Sequence, residues 1–341
     1  MLTDYLQQLM QKGNLTSVQG EQVLSIITNG AKPEQTAALL TLLHNKPETA
    51  EELIGFVRGM KKQMIPVSYH EPLLDIVGTG GDGANTINIS TASALVIASL
   101  GIKVAKHGNR SVSSKCGSAD FLESLDIPIH LSPHDAQKAL NHQGFAFLYA
   151  PDFHPAMQAV KNIRQALGIR TTFNLLGPLL NPATPSHLII GVYEKRLMDI
   201  FADTLQKLPI KRALVVHGSG LDEINCLGSV DVIEVTPSSQ QRYSLNPNDF
   251  GLPYCRLSDL QGGTSSFNRT QLMKALSGEA SSIHNTIIFN VGVALHLVNS
   301  TITIQEGITL ATRAAEDGTT LTYIKHLKES NHAKQLPTVN N

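Results

Sequence analysis

A glycine-rich loop has the residue types and the spacing of a phosphate site. The stretch Leu73–Thr91 begins with apolar residues that predict a buried strand. Four glycines and several hydroxyl and amide side chains follow, and Ser90 and Thr91 then cap an apolar helical run. Glycines let the backbone approach an oxyanion, while free N–H groups and the helix dipole attract it. An ordinary turn would account for only one or two glycines, so the stretch predicts a bound phosphate.

Two nucleotide-binding motifs come close to this loop without matching it. Gly78, Gly80 and Gly83 satisfy G-x-G-x-x-G, but a dinucleotide site also needs an acid at the end of the next strand. That predicted strand, Ile102–Ala105, is followed by basic and polar residues instead. The Gly-Lys-Ser/Thr of a Walker motif is absent as well. The loop therefore favours a small, highly charged phosphate ester over a dinucleotide-dependent oxidoreductase.

A second polar stretch, Lys106–Ser118, reads KHGNRSVSSKCGS and follows the next predicted strand. Because parallel strands end at one edge of their sheet, we expect this stretch beside the glycine loop. A solvated surface loop would explain its polarity, but neither its position nor its similar chemistry. Two anion-binding loops at one sheet edge predict a ligand with two phosphate groups.

The paired acids Asp222 and Glu223 follow another predicted buried strand and a glycine turn. Most adjacent carboxylates are simply exposed. At the edge that carries two phosphate loops, they suit Mg²⁺, which takes carboxylate, phosphate and water oxygens.

Two arginines and two histidines remain ambiguous. Arg164 and Arg170 flank the helix before a Pro/Gly-braced segment, where each is either a surface residue or a forked partner for a carboxylate. His107 and His154 fit a hydrogen-bonding role as well as an acid–base role.

Alternating strand and helix signals from about residue 70 predict an α/β fold with a mainly parallel sheet. Capping boxes at Thr16 and Thr49 and broad apolar stripes predict a small all-helical domain before it. We expect this domain over residues 1–68, joined by helices from about 156–185, and the α/β domain over 69–341. Strands are predicted at Leu73–Val77, Ile102–Ala105, Phe145–Tyr149, His187–Val192, Ala213–Val216 and Val230–Val235.

Composition limits the classes of partner. The 341 residues are 42% hydrophobic and 16% charged, with a net charge of -1. A chain this close to neutral lacks the concentrated positive field that nucleic acids and acidic membranes require. No apolar run approaches the roughly 18 residues that span a bilayer. Three cysteines without metal-ligand spacing indicate the reducing cytoplasm, and the low charged fraction predicts a partner subunit.

Six motifs together resemble one family. They are GTGGD, NIST, KHGNRSVSSKCGSAD, HPAM, GIRTTFNLLGPLLNP and GLDE, at residues 78–82, 88–91, 106–120, 154–157, 168–182 and 220–223. The chain is similar to the anthranilate phosphoribosyltransferase family from its helical N-terminus to about residue 328. The resemblance implies the nucleoside phosphorylase/phosphoribosyltransferase fold and a homodimer formed through the helical domain. It also implies transfer of a phosphoribosyl group from phosphoribosyl pyrophosphate to the amine of anthranilate, in tryptophan biosynthesis, with Mg²⁺.

Carried over position by position, the resemblance implies three groups of site residues. Phosphoribosyl pyrophosphate is expected at Gly78, Thr79, Gly80, Gly81, Asp82, Thr86, Asn88, Ile89, Ser90, Thr91, Lys106, His107, Gly108, Asn109, Arg110, Ser111, Val112, Ser113, Ser114 and Ser118. Anthranilate is expected at Gly78, His107, Asn109, His154, Arg164, Gly177 and Pro178. Mg²⁺ is expected at Ser90, Asp222 and Glu223. No general base is assigned, because the aromatic amine of anthranilate is already neutral at pH 7.

Two departures and two further alternatives accompany the resemblance. Asn290-Val291-Gly292 stands where the family usually has Asn-Ala-Gly, and Lys161-Asn162-Ile163 stands where it commonly has a proline and a valine. Both departures lie away from the phosphate loops. A pyrimidine nucleoside phosphorylase of the same fold is disfavoured by the acid pair. A non-catalytic, nucleic-acid-binding relative is disfavoured by the charge and by the complete site motifs.

Overall fold

The computed structural model describes residues 1–111 and 115–335, with side chains as far as residue 329. Four helices come first, α1 (Leu2–Met10), α2 (Ser17–Thr28), α3 (Pro33–His44) and α4 (Ala50–Lys61). Thr16 and Thr49 cap α2 and α4, because each hydroxyl accepts the N–H three residues on, at 3.2 and 3.3 Å. The Gln19 and Glu52 side chains accept the cap residues' own N–H groups in return, which confirms both capping boxes.

Strands and helices alternate from residue 74 onward. They are β1 (Leu74–Gly78), α5 (Ile89–Ser99), β2 (Val104–Gly108), α6 (Ser118–Ser124), α7 (Pro133–Gln143), β3 (Phe145–Tyr149), α8 (Ala150–Phe153), α9 (Gln158–Leu167), α10 (Phe173–Leu176), β4 (His187–Gly191), α11 (Leu197–Gln206), β5 (Arg212–Gly218), β6 (Val230–Val235) and β7 (Gln240–Leu245). The chain ends with α12 (Ser265–Leu276), α13 (Ser282–Val298), α14 (Ile304–Glu316) and α15 (Thr319–Gln335). Short 3₁₀ helices lie at Pro155–Met157, Gly177–Leu179, Pro247–Phe250 and Leu257–Leu260. Within the described ranges, none of these helices is both long and apolar enough to cross a membrane.

One seven-stranded sheet has the order β3-β2-β1-β4-β5-β6-β7. Strand β1 pairs in parallel with β2 and β4, and parallel pairing continues to β3 and β5, whereas β6 and β7 are antiparallel. The predicted fold, a helical segment followed by an α/β part with a mainly parallel sheet, is confirmed. Strand β7 was not predicted, because its sequence QQRYSL is polar and half-exposed at the sheet edge.

Apolar side chains cover both faces of the sheet. One face packs against α5, α6 and the C-terminal helices. On the other face, Ile190 and Val215 join a cluster with Phe56 of α4 and Phe173 of α10, whose rings lie 5.9 Å apart. This cluster runs from the first four helices through Val160 of α9 onto the sheet. The domain division at residue 68 stays a prediction.

Two local expectations near the loops are wrong. Strand β2 continues to Gly108, so Lys106 and His107 are strand residues on opposite faces of the sheet rather than loop residues. Helix α5 begins at Ile89 after Asn88, so Ser90 and Thr91 lie in its first turn and do not cap it. Asn88 makes no side-chain capping bond either, because its amide donates to the Cys116 carbonyl and accepts from Asn268.

Candidate active site

The candidate site lies where the strand order changes direction. From β1 the chain continues to β2 on one side, while β4 lies on the other side of β1. In doubly wound sheets, ligands bind in the crevice at the carboxyl ends of two such strands. Here those ends are Gly78 and Gly191, which are paired across β1 and β4.

Asp222 lies directly over these two glycines. A Cβ on Gly78 would be 2.1 Å from Asp222 Oδ2, and a Cβ on Gly191 would be 1.6 Å from the Asp222 carbonyl oxygen. Neither position has room for a side chain. Position 78 is therefore glycine because Asp222 packs directly against it. From the sequence, this glycine was expected instead to let a phosphate approach the backbone. Gly191 was missed altogether, because nothing near it in sequence indicates which segment packs on it.

The glycine loop is held to the strand ends by its backbone. Gly80, Gly81 and Gly83 have φ values of +67°, +89° and +73°, in the left-handed region that side chains rarely adopt. The Gly80 N–H donates to Asp222 Oδ2 at 2.6 Å, and the Thr79 N–H donates to the Gly191 carbonyl at 2.9 Å. The structure thus brings the predicted donor loop and the predicted metal ligand into direct contact.

Burial strongly perturbs the acid pair. Burial and the nearby Asp82 charge raise the pKa of Asp222 to about 7. Burial, followed by repulsion from Asp222 and Asp82, raises the pKa of Glu223 well above its usual value. Glu223 Oε1 accepts weakly from the Ser90 N–H at 3.4 Å, and its buried Oε2 has no partner among the described residues. Such a pair favours a cation that would compensate the two charges.

The Lys106 side chain lies close to the acid pair Asp222 and Glu223. Its ammonium is buried, donates to the Ile76 carbonyl at 2.7 Å and lies 3.5 Å from Ser90 Oγ. Burial lowers the pKa of Lys106, and the charges of Asp75 and Glu223 oppose that shift. Lys106, Ser90 and Glu223 thus meet at the first turn of α5, where the helix dipole is positive.

The donor set fits Mg²⁺ with two carboxylates. Across the described residues, no group of three or more His, Cys, Asp or Glu side chains is arranged to hold a metal. Mg²⁺ commonly takes only one or two carboxylates and completes its shell with water and phosphate oxygens. Asp222 and the free oxygen of Glu223, next to a phosphate loop, match that requirement.

The second loop is partly committed to its own ion pairs. Arg110 binds Glu123 through Nη2 at 2.6 Å and Asp120 through Nη1 at 3.1 Å, so its guanidinium is directed at α6. Ser118 Oγ donates to the Asn109 carbonyl at 3.1 Å and closes the base of the loop. Three residues that were predicted to bind phosphoribosyl pyrophosphate lie outside the described residues: Val112, Ser113 and Ser114.

The far end of the glycine loop is held by other segments. Thr86 forms an isolated antiparallel bridge with Gln261, and Asn268 Nδ2 donates to Asn88 Oδ1 at 2.8 Å. Asn268 is 1% exposed and was missed, because a lone asparagine in a helix carries no sequence signal for this contact.

On the face of β2 opposite to Lys106, several residues that were predicted to bind anthranilate lie close together. The rings of His107 and His154 make an edge contact with centroids 5.1 Å apart, and His107 Nδ1 lies 3.1 Å from the Gly177 carbonyl. Burial, then the neighbouring His154, lowers the pKa of His107 to about 3, and burial lowers that of His154 to about 4. Both imidazoles are therefore neutral at pH 7.

Arg164 lies in the last turn of α9 without a neutralising neighbour. Its half-buried guanidinium has no hydrogen bond or ion pair within the part of the chain that is described, and burial lowers its pKa. An unpaired, partly desolvated guanidinium favours a carboxylate ligand.

Comparisons with known proteins place this chain in a family. The helical bundle domain of a glycosyl transferase family matches residues 3–64, and the a/b domain of that family matches residues 70–321. A relative from Chlamydia felis named anthranilate phosphoribosyltransferase is 41% identical over 322 residues, which are 94% of each chain. The chain belongs to the anthranilate phosphoribosyltransferase family. The resemblance drawn from the six motifs is thereby confirmed.

Solved structures of anthranilate phosphoribosyltransferases have the same fold. The enzyme of Thermus thermophilus superposes with a TM-score of 0.89 at 35% identity, over 96% of this chain and 99% of that one. The enzyme of Saccharomyces cerevisiae in complex with PRPP and Mg gives 0.89 at 28% identity, over 97% and 98%. The yeast enzyme in complex with 4-fluoroanthranilate gives 0.88 at 28% identity, over the same shares.

A buried acid near the candidate site was not predicted. Asp75 of β1 is inaccessible to solvent, accepts a hydrogen bond from Asn181 Nδ2 at 2.8 Å, and lies 3.4 Å from the His107 backbone nitrogen. Burial, opposed by the Lys106 charge, raises the pKa of Asp75 to about 6. A signal was available, since Asp75 interrupts an otherwise apolar strand in LLDIVG.

The two neutral histidines make an acid-sensitive contribution to stability, which the raised pKa values of Asp75, Asp222 and Glu223 oppose. The folded pKa values of both histidines are lowered, so below about pH 6.5 these side chains bind protons in the unfolded chain that they do not bind in the folded one, and their contribution to stability falls as pH falls. Between pH 6.5 and 5 we expect a loss of about 2 kcal/mol per histidine in the free energy of unfolding. Urea unfolding at pH 7 and pH 5 measures it. From pH 7 to pH 5, the free energy of unfolding of the His107→Gln/His154→Gln variant should change more favourably than that of wild type or of the exposed control His142→Gln; equal changes would contradict the assignment.

Proposed function

We propose that this site binds phosphoribosyl pyrophosphate in the crevice between β1 and β4 and transfers its phosphoribosyl group to the amine of anthranilate. As a member of its family, the chain is a pentosyltransferase of tryptophan biosynthesis. The observation that carries the site assignment is the buried, mutually repelling pair Asp222 and Glu223, held against the glycine loop and the first turn of α5. This arrangement suits a cation together with a polyphosphate. The yeast relative solved with PRPP and Mg supports the same ligands.

The donor would be held by backbone N–H groups and by Lys106. The glycine loop and the first turn of α5 present N–H groups and a positive dipole to the phosphates, and the Lys106 ammonium adds a fixed charge beside Ser90. Asp222, Glu223 and Ser90 would hold Mg²⁺, which when bound supplies positive charge against the leaving pyrophosphate. Preorganised charges of this kind stabilise a dissociative transfer at the anomeric carbon.

The acceptor needs positioning rather than deprotonation. The aromatic amine is neutral at pH 7, and the two buried histidines are neutral as well, so they can orient the amine by hydrogen bonds without carrying charge. The carboxylate of anthranilate would pair with the free Arg164 guanidinium. The 4-fluoroanthranilate complex of the yeast relative supports an acceptor of this shape.

Arg164→Ala is expected to raise the anthranilate KM about tenfold to a hundredfold, because a charge-assisted pair contributes about 1.5–3 kcal/mol. Arg164→Lys should recover only part of this loss, since an ammonium lacks the forked geometry. Steady-state kinetics with each substrate varied in turn measure both effects. The donor KM should stay unchanged, as should both KM values of Lys161→Ala, an exposed control on the same helix. A rise in the donor KM alone would move Arg164 to the phosphate site.

The reaction itself is tested by mixing the chain with phosphoribosyl pyrophosphate, Mg²⁺ and anthranilate. Loss of anthranilate fluorescence should match the release of pyrophosphate, require all three components, stop with EDTA and resume with added Mg²⁺. Turnover that persists under chelation would end the metal assignment. Consumption of a nucleoside and inorganic phosphate instead would indicate a phosphorylase.

We also propose that the chain forms a homodimer through its helical bundle. Met10 of α1 and Val18 of α2 are 70% and 62% exposed, so these two apolar side chains are accessible to a second copy of the chain. Light scattering of wild type and of Met10→Glu/Val18→Glu would test it, with dissociation of the variant as the expected result. We propose the cytoplasm as the compartment, in keeping with the substrates.

A further inference from the structure

Arg170 joins the two sides of the proposed site. It follows α9, which is terminated by Gly168 with a φ of +63°, and it precedes α10. Its Nη2 donates to the Gly81 carbonyl in the donor loop. Its guanidinium also stacks 4.5 Å from the ring centroid of Tyr193, just beyond the end of β4. One side chain thus contacts the donor loop from the segment that follows the acceptor helix.

The contact is built closely into the loop. A Cβ on Gly81 would lie 2.6 Å from Arg170 Cζ, and the φ of +89° at Gly81 favours glycine there independently of this contact. Because the peptide unit is planar and trans, holding the Gly81 carbonyl on Arg170 directs the Asp82 N–H to the opposite side. The Gly80 N–H is held by Asp222 on the preceding peptide. Arg170 and Asp222 together set the orientation of nearby peptide groups where the pyrophosphate is expected.

The other end of the contact leads to the acceptor. Arg164 lies in the last turn of α9, and Arg170 is in the next segment of chain. Helix α9 is packed on the helical bundle through Val160, and Tyr193 packs against the same apolar cluster. The guanidinium is therefore held by its own backbone after α9 and by the Tyr193 ring beyond β4.

We infer that Arg170 is a positioning residue that couples binding at the two subsites of the proposed transferase, an inference that rests on the proposed function. A donor that orders the glycine loop also orders Arg170. Through Arg170, the donor orders the chain segment that follows Arg164. Anthranilate then binds a site whose conformational freedom has already been lost on donor binding. The two ligands therefore bind with positive coupling. By linkage, anthranilate strengthens binding in the donor loop by the same factor.

The test measures anthranilate binding by its fluorescence, without turnover, in the absence and presence of saturating pyrophosphate and Mg²⁺. In wild type we expect pyrophosphate to tighten anthranilate binding by about fivefold or more, within the usual range of coupling between sites. In Arg170→Ala and Arg170→Gln the factor should fall towards one, while the affinity for anthranilate alone stays within about twofold. Tyr193→Ala should reduce the factor, and Tyr193→Phe should keep it because the ring remains.

Controls separate this inference from the proposed function. Arg313→Ala removes an exposed cation on α14 and should keep the wild-type factor. Arg164→Ala should weaken anthranilate binding in both conditions, which a loss of coupling alone does not do. A wild-type factor of one, or an Arg170→Ala factor equal to that of a coupled wild type, would overturn the role of Arg170 and leave the function standing. Failure of wild type to bind either ligand would refute the proposed function instead.

Discussion

Replacing Asp222 with Asn and Glu223 with Gln is expected to lower kcat/KM for phosphoribosyl pyrophosphate about a thousandfold, with the fold unharmed. Two amides would forfeit the charge that holds Mg²⁺, and charge stabilisation by a bound metal contributes several kcal/mol to the transition state. Stability should move the other way. Burial and repulsion from nearby carboxylates raise the pKa of both carboxyls, so the folded chain disfavours their charged forms. Amides remove that penalty, and the melting temperature should equal or exceed that of wild type.

Kinetics at saturating Mg²⁺ together with thermal unfolding measure both halves of this expectation. The matched control is Asp249→Asn/Glu279→Gln, which makes the same chemical change at two exposed acids. It should retain wild-type kcat/KM. Wild-type activity in the amide variant would refute the metal assignment. A fall in melting temperature that accounts for the lost activity would show that the pair is structural.

Gly191→Ala is expected to lower activity about a hundredfold although Gly191 is not itself assigned a ligand. Its new methyl group would lie 1.6 Å from the Asp222 carbonyl oxygen, so the segment that carries both acids must shift. A displacement of about 1 Å at a reacting centre costs roughly two orders of magnitude in rate. Overpacking of this kind also costs about 1–3 kcal/mol of stability. Kinetics with varied Mg²⁺ should show weaker metal binding, as a raised half-saturating Mg²⁺ concentration.

Gly228→Ala provides the control for this substitution. Its added methyl would meet only the Ser219 hydroxyl, at 3.0 Å, so a small side-chain adjustment suffices. Activity and Mg²⁺ dependence should both remain close to wild type. If Gly191→Ala behaves like Gly228→Ala, then Asp222 is not held by the ends of β1 and β4. Gly78→Ala should resemble Gly191→Ala, since its methyl would lie 2.1 Å from Asp222 Oδ2.

Local patterns accounted for what depends on neighbours in sequence. The capping boxes at Thr16 and Thr49 involve residues three apart, and both are present. Strand–helix alternation predicted the parallel sheet, because the connection between parallel strands has to cross one face of the sheet. The glycine loop was also recognisable, since an apolar strand, several glycines and a helix start are contiguous in the chain. Boundaries were less accurate: β2 extends through Lys106 and His107, whose polarity suggested a loop although both are buried.

By itself the sequence determined the fold class, the glycine loop and the family, because each is encoded in contiguous residues or in motifs that are recognisable without coordinates. Only the tertiary structure decided which distant groups meet. Asp222 accepts a hydrogen bond from Gly80, which is 142 positions away in the sequence, and Arg170 donates one to Gly81, which is 89 positions away. It also decided which charges are available, since Arg110 is paired with Glu123 and Arg164 has no partner in the described chain. Burial and pairing depend on segments brought together by folding, and no local pattern specifies them.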